Sequence, residues 1–213
     1  METILNQRKI LVTGASGFIG SFLVEGALER GMQAWAGIRR TSSRKYLQDE
    51  RIQFAELYFA NKDKLKEQLS IHKKEHEGWD YIIHCAGVTK CRNKEDFDKG
   101  NYVATVNFVE ALQELDMVPS HFIYISSLSI FGPIHEDTYQ PISENDEAQP
   151  NTAYGISKLK SEKYLQGLKN FPFVIYRPTG VYGPLERDYF LMAKSIKQHI
   201  DFAVGYKKQV LTF

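Results

Sequence analysis

The sequence predicts an α/β domain, a doubly wound parallel sheet with helices on both faces. Three observations carry this. Short apolar runs alternate with helical patterns along nearly the whole chain. An apolar run at Ile10, Leu11 and Val12 empties into a glycine turn that opens a helix. The run at 81–87, YIIHCAG, is nearly continuous in apolar residues, as strands covered on both faces are.

Gly14, Gly17 and Gly20 stand at the spacing G-x-x-G-x-x-G, which reads as a phosphate-binding turn. A glycine at 14 lets the chain reverse, one at 17 removes a side chain where a pyrophosphate approaches the backbone, and one at 20 lets the helix lie close to the strand. The free amides and positive end of that helix then face the phosphates. Phe18, Ile19, Leu23, Val24, Ala27 and Leu28 continue at helical spacing, and Gly31 closes the helix just after Arg30.

Residues 33–38 read as the second strand. Enzymes that take NAD place an Asp or Glu at its end, about 20 residues beyond the glycines, to bind the ribose hydroxyls. Here Ile38 is followed by Arg39 and Arg40, then Thr41, Ser42, Ser43 and Arg44, with no carboxylate. Guanidinium groups suit a 2′-phosphate. NADP(H) is therefore predicted over NAD(H), a solvated turn being the plainer reading of Arg39 and Arg40.

A third strand is expected over 52–57, then a polar surface helix marked by Leu65 and Leu69, reaching about His76 and broken by Gly78. His72 and His76 stand four apart, a spacing that can hold a metal, but the charged SIHKKEHE around them offers no third ligand. A solvated helix face and no metal site are expected. The strand at 81–87 ends in Cys85, Ala86 and Gly87, small enough for a flat cofactor to lie against, and His84 reads as a packed strand residue.

A long helix is expected over 101–115, with Pro119 after it, and a fifth strand over 122–126, delivering Ser126 and Ser127 to its carboxyl end. The stretch 131–150, rich in Gly, Pro, Asp and Glu, suits a mobile segment over an active site. Asn151 or Thr152 caps the next helix, which runs to about 168. A sixth strand at 173–176 ends in Arg177-Pro178, a turn follows at 181–184, a helix covers 188–199, and 209–213 begins a further strand. Two units are expected, a dinucleotide domain over 1–185 and the start of a substrate-binding region over 186–213.

At 213 residues the chain holds one full domain. With 43% hydrophobic and 25% charged residues and a formal net charge of +1, nothing points to nucleic acid or an anionic membrane as partner. No apolar run reaches transmembrane length and METILNQRK lacks a signal-peptide core, so a cytoplasmic location is expected. Cys85 and Cys91 are too few and too close for a disulfide framework and have no partners for a zinc site.

Tyr154-Gly155-Ile156-Ser157-Lys158 puts a phenol and an ammonium one turn apart on one helix face. A free tyrosine titrates near 10, and lowering it by about three units takes roughly 4 kcal/mol. Attraction to a cation at about 4 Å supplies about 4 kcal/mol at an effective dielectric of 20. The lysine, helped by bound NADP⁺, is of the right size to make the phenol a working acid/base.

With TGASGFIG (13–20), HCAG (84–87), NYVATVN (101–107), YISSLSIFG (124–132), YGISK (154–158) and YRPTGVYGP (176–184) in this order, the chain resembles the extended short-chain dehydrogenase/reductases, the NAD(P)-dependent epimerases, dehydratases and reductases. The resemblance implies a Rossmann-type fold, with Tyr154 as acid/base, Lys158 as its partner on the nicotinamide ribose, and Ser127 orienting the substrate oxygen, its neighbours Ser126 and Ser129 ranking lower. It also implies Phe18 and Ile19 along the pyrophosphate, Cys85, Ala86 and Gly87 near the ribose, Pro178 and Thr179 near the nicotinamide, Asn101 on the cofactor side, and a homodimer built on the helices carrying Asn101 and Tyr154.

Two departures stand out. Where the family has an adenine-binding Asp after the third strand, this chain has Tyr58-Phe59, so an aromatic ring is the alternative seat for adenine. Where sugar-nucleotide members have Asn after Arg-Pro, it has Thr179-Gly180. With Arg39, the second departure favours hydride transfer between nicotinamide and a ketone or secondary alcohol. A nucleotide-sugar epimerase or dehydratase working through a transient ketone, and a non-catalytic NADP(H)-sensing regulator, are the alternatives. Family members continue into a smaller C-terminal substrate domain, and this sequence is expected to be truncated where that domain begins.

Overall fold

The computed structural model describes residues 7–136, 138 and 140–200. Six strands, β1 (Lys9–Thr13), β2 (Gln33–Ile38), β3 (Gln53–Glu56), β4 (Tyr81–His84), β5 (His121–Ile125) and β6 (Phe173–Tyr176), form one sheet in the order β3-β2-β1-β4-β5-β6. All neighbours are parallel. The chain steps outward from β1 to β3, then returns to the other side of β1 for β4. The loops after β1 and β4 therefore part in opposite directions and leave a crevice at the carboxyl ends of the strands.

Alternation along β1 divides the core in two. Ile10 and Val12 face one side with Val24, Ala27 and Leu28 of α1 (Phe18–Glu29), while Leu11 faces the other with Leu65 and Leu69 of α2 (Lys62–His76). The second layer also takes Phe108, Val109 and Leu112 from α4 (Ala104–Glu114), which follows the short α3 (Lys94–Phe97), and Leu165 from α5 (Ala153–Gln166). Asn61 caps α2 by accepting from the Lys64 amide at 2.8 Å, and Thr152 caps α5 by accepting from Gly155 N at 3.0 Å.

The structure departs from the expected elements in four places. β4 ends at His84, so Cys85, Ala86 and Gly87 leave the sheet and are free to line the crevice. The helix expected from 101 begins earlier, at α3, and passes through a π turn at Asp98–Val103 before α4, which puts Asn101 on the turn that breaks helical register. His72 is buried, because Leu65, Leu69 and His72 share one apolar stripe of α2; its ring stacks on Trp79 at 3.9 Å, and burial pushes its pKa down to about 4. At the edge of the sheet Val174 and Tyr176 are exposed, so no helix among the described residues covers that face of β6. α6 (Asp188–Lys197) likewise contributes no buried residue.

Among its described residues the stretch 131–150 carries neither helix nor strand, as its composition predicts. The strand expected at 209–213 lies outside the described residues. Among the described residues no helix is long and apolar enough to cross a membrane.

Candidate active site

Gly14 closes β1 with φ +65°, and a Cβ there would lie 2.8–2.9 Å from the backbone of Cys85 and Ala86. Only glycine lets the first turn pass so close to the end of β4. At Gly20 a Cβ would run into the carbonyl oxygen of Gly14, so α1 sits directly against the turn. Gly17 is the N-cap of α1 and makes no side-chain cap, and the first turn carries no acidic residue. The amides of Phe18 and Ile19 thus open the helix with its positive end available to an anion.

A chain of hydrogen bonds ties this turn to β4 and to the helix beyond. The Thr13 hydroxyl is bonded to Nδ1 of His84 at 2.8 Å and accepts from the amide of Ala86 at 3.0 Å. His84 Nε2 meets the Thr105 hydroxyl at 3.2 Å, and that hydroxyl donates to the carbonyl of Asn101 at 2.7 Å. Thr105 has spent its only proton, so Nε2–H is the donor to it and Nδ1 accepts from Thr13. His84 is neutral, and burial takes its pKa down to about 3.

Asn101 is a clamp. Its Oδ1 accepts from Val88 N at 2.8 Å, and its Nδ2 donates to the Val88 carbonyl at 3.1 Å and to Ser157 Oγ at 2.9 Å. Ser157 in turn donates to the carbonyl of Tyr154 at 2.7 Å. The turn after β4 and the first turn of α5 are therefore held to one amide on the π segment.

Ser126 and Ser127 follow β5 into the same region. The Ser126 hydroxyl is buried with no partner among the described residues, an unspent donor and acceptor at the crevice. Ser127 Oγ accepts from Ser129 N and donates to Ser129 Oγ, each at 3.1 Å. Burial raises the Tyr154 pKa, and the nearby Ser127 hydroxyl pulls it partly back. Phe97 stands edge-on to the Tyr154 ring, with centroids 6.3 Å apart.

Lys158 is buried. Its Nζ donates to the Ile125 carbonyl at 2.5 Å and lies 4.2 Å from the centre of the Tyr124 ring. Burial brings its pKa down to about 7, although Cys85 and Glu162 pull it upward. Burial likewise pushes the Cys85 thiol up to about 12. The ammonium is turned to a backbone carbonyl, and burial raises the phenol while making the lysine half-neutral near pH 7.

Glu162, one turn beyond Lys158, is fully buried and paired with Arg177 through contacts of 2.8–3.2 Å. Arg177 precedes Pro178, whose carbonyl accepts from Leu128 N at 2.9 Å, so the strand end that carries Pro178 and Thr179 is fastened to the turn after β5 and to α5. The sequence reading passed over this pair; a Glu four residues after the lysine and an Arg at a strand end were its available signals.

Arg39 and Arg40 lie apart from Tyr154, at the far end of the crevice. With Ile38, Arg44, Phe54 and Glu56 they line a cavity of about 170 Å³, and the Arg44 guanidinium sits 4.1 Å over the Phe54 ring. The expectation that no carboxylate is present there is corrected. Glu56 comes from β3, whose register sets it beside Ile38. Of the two aromatic candidates for adenine, Phe59 is packed against His84 and Phe108, at 5.5 and 5.1 Å between ring centres, which leaves only Tyr58 exposed. Among the described residues no group of three or more His, Cys, Asp or Glu could hold a metal ion.

A sheet whose strand order reverses between β1 and β4, with a glycine turn at that reversal, defines a dinucleotide-binding α/β protein. Residues 10–210 match the NAD dependent epimerase/dehydratase family, and the chain belongs to it. It is 30% identical over 211 residues to an uncharacterised UDP-glucose epimerase of Bacillus subtilis (strain 168), covering 90% of this chain and 62% of that protein. Over 114 residues, 48% of this chain and 33% of the relative, it is 33% identical to the UDP-glucose 4-epimerase of Vibrio cholerae. The UDP-Glc/GlcNAc 4-epimerase of Campylobacter jejuni superposes with a TM-score of 0.71 at 26% identity, covering 86% of this chain and 56% of that one. The Bordetella bronchiseptica enzyme WbmG, solved with NAD and UDP, superposes with a TM-score of 0.76 at 21% identity over 92% of this chain and 62% of the other. The chain thus spans about 60% of the length of such relatives.

Proposed function

We propose that this chain carries the coenzyme-binding and proton-transfer residues of a nucleotide-sugar epimerase or dehydratase that works through a transient ketone. One observation carries the reading: on α5 a single helical turn separates Tyr154 from the buried Lys158, whose ammonium reaches the Ile125 carbonyl at the carboxyl end of β5. The relatives' names shift the weight from a free-standing ketone reductase toward an epimerase.

The residues fit a nicotinamide dinucleotide: Gly17 opens α1 with no side-chain cap and no acidic residue in its first turn, and Ser126 offers an unspent buried hydroxyl. Bound, the coenzyme supplies a hydride acceptor and donor. Gly14, Gly17, Phe18, Ile19 and Gly20 would hold the pyrophosphate, Arg39 and Arg40 a 2′-phosphate, and Cys85, Ala86, Gly87, Ser126, Pro178 and Thr179 the nicotinamide half. Asn101 keeps the 86–88 turn and the Tyr154 turn in place. Tyr154 takes the proton of the sugar hydroxyl and returns it, Ser127 holds the oxygen, and Lys158 sets the charge on the phenol. The arginines favour NADP(H). The same reading keeps the domain boundary at 185, a cytoplasmic site of action, and a homodimer through the helices near Asn101 and Tyr154, where Val103 and Ile156 are exposed.

Tyr154→Phe is expected to abolish interconversion of UDP-glucose and UDP-galactose while coenzyme affinity stays within about threefold. Retained turnover overturns the mechanism. A second reading, reduction of a free ketone, is favoured by Thr179 after Pro178 and by the arginines; it predicts net NADPH consumption with a ketone, which an epimerase does not show. A parent protein that binds coenzyme but turns over neither class is a sensor.

A further inference from the structure

We infer that Glu56 is a coenzyme-selecting residue: its carboxylate, set among three arginines, lets the adenosine end of the crevice take an unphosphorylated ribose and lowers its preference for a 2′-phosphate. The inference rests on the coenzyme assignment above and concerns which form of that coenzyme the site accepts.

Parallel pairing of β2 with β3 places Ile38 opposite Glu56, so the two strand ends open side by side. Both residues line the cavity that also takes Arg39, Arg40, Arg44 and Phe54. Phe54 and Glu56 are two apart on one strand and share a face. Arg44 covers the Phe54 ring at 4.1 Å. No hydrogen bond or ion pair joins Glu56 to Arg39, Arg40 or Arg44 among the described residues, and Glu56 is exposed. Its carboxylate is not consumed by the neighbouring guanidinium groups.

The two possible ribose ends make opposite demands on this cavity. A free 2′-hydroxyl is a donor, and an ionised carboxylate is an acceptor only, so Glu56 suits it. A 2′-phosphate brings acceptors and negative charge; the arginines suit it and Glu56 repels it. Coenzyme choice here is therefore a difference between opposed contributions, and removing one shifts the balance. Sequence position hides this, because Glu56 stands far beyond the place where a β2-end acid is sought.

The test is titration of the chain with NADPH and with NADH, followed by nicotinamide fluorescence, for the parent and for Glu56→Gln. The amide keeps the side chain's shape at an exposed site. A charge-assisted hydrogen bond at a partly wet position is worth roughly tenfold in affinity. Glu56→Gln is expected to raise the ratio of dissociation constants, NADH over NADPH, by about that factor, with the NADH constant itself rising. If both coenzymes bind and the ratio is unmoved or falls, Glu56 has no selecting role although the coenzyme assignment stands. If neither coenzyme binds the parent, the coenzyme assignment falls and takes this inference with it.

Discussion

Lys158 should make the protein less stable at neutral pH than at mildly alkaline pH, and Lys158→Met should remove that dependence. An ordinary lysine titrates at 10.5, whereas burial holds this one at about 7. Between those values the unfolded chain binds a proton that the folded chain releases. Stability therefore rises with pH in this window, by up to about 1.4 kcal/mol per unit. The cost is fully present below about pH 7 and vanishes above the unfolded value. Over the 3.5 units between 10.5 and about 7 it reaches about 4 kcal/mol at neutral pH, and about 2 kcal/mol of it is recovered by pH 9. Methionine forfeits the bond to the Ile125 carbonyl and the contact with the Tyr124 ring, so the absolute stability of the variant is a poor test. The pH slope is a good one. Urea denaturation of both proteins from pH 6.5 to 9 should show the parent gaining on the variant by about 2 kcal/mol. Cys85, pushed up to about 12, is present in both and drops out of the comparison to first order. Parallel stability curves would refute the assignment of a buried, deprotonating lysine.

Two further outcomes are expected. Glu162→Gln strands the Arg177 guanidinium beside a buried amide and should cost about 3 kcal/mol or more in denaturation, whereas Glu162→Gln with Arg177→Met should recover much of it; additive losses in that double-mutant cycle would deny the pair. His72, neutral when folded and held down to about 4, should weaken the fold as pH drops from 6.5 toward 4, because the unfolded ring takes a proton that the folded ring refuses. His72→Phe should flatten that acid limb by about 2 kcal/mol, measured by thermal melts across the range; an unchanged limb assigns it to other groups.

Local signals carried most of the fold. The limits of β2 and β6 match the sequence reading residue for residue, because apolar runs bounded by glycine, proline or charge leave little choice of register. The glycine turn was legible because its spacing is written within seven residues, although what forbids a Cβ at Gly14 is the backbone of Cys85 and Ala86. Where the reading failed, the deciding contact lay elsewhere in the chain. Charge around His72 suggested water, yet the stripe it shares with Leu65 and Leu69 faces the sheet and Trp79. The expected helix start at Asn101 was displaced because that amide is held by Val88 and Ser157, which no helical period encodes.

By itself the sequence determined the order of strands and helices, the glycine turn, and the pairing of Tyr154 with Lys158 on one helix face, since each depends on spacing along a single segment. Only the tertiary structure decided the charges that matter. It brought Glu56 beside the arginines through strand register, buried Lys158 under Tyr124 and against the Ile125 carbonyl, and set Glu162 on Arg177. The physical reason is that a group's charge is governed by its loss of water and by neighbours brought from distant segments, and neither is a property of its position in the chain.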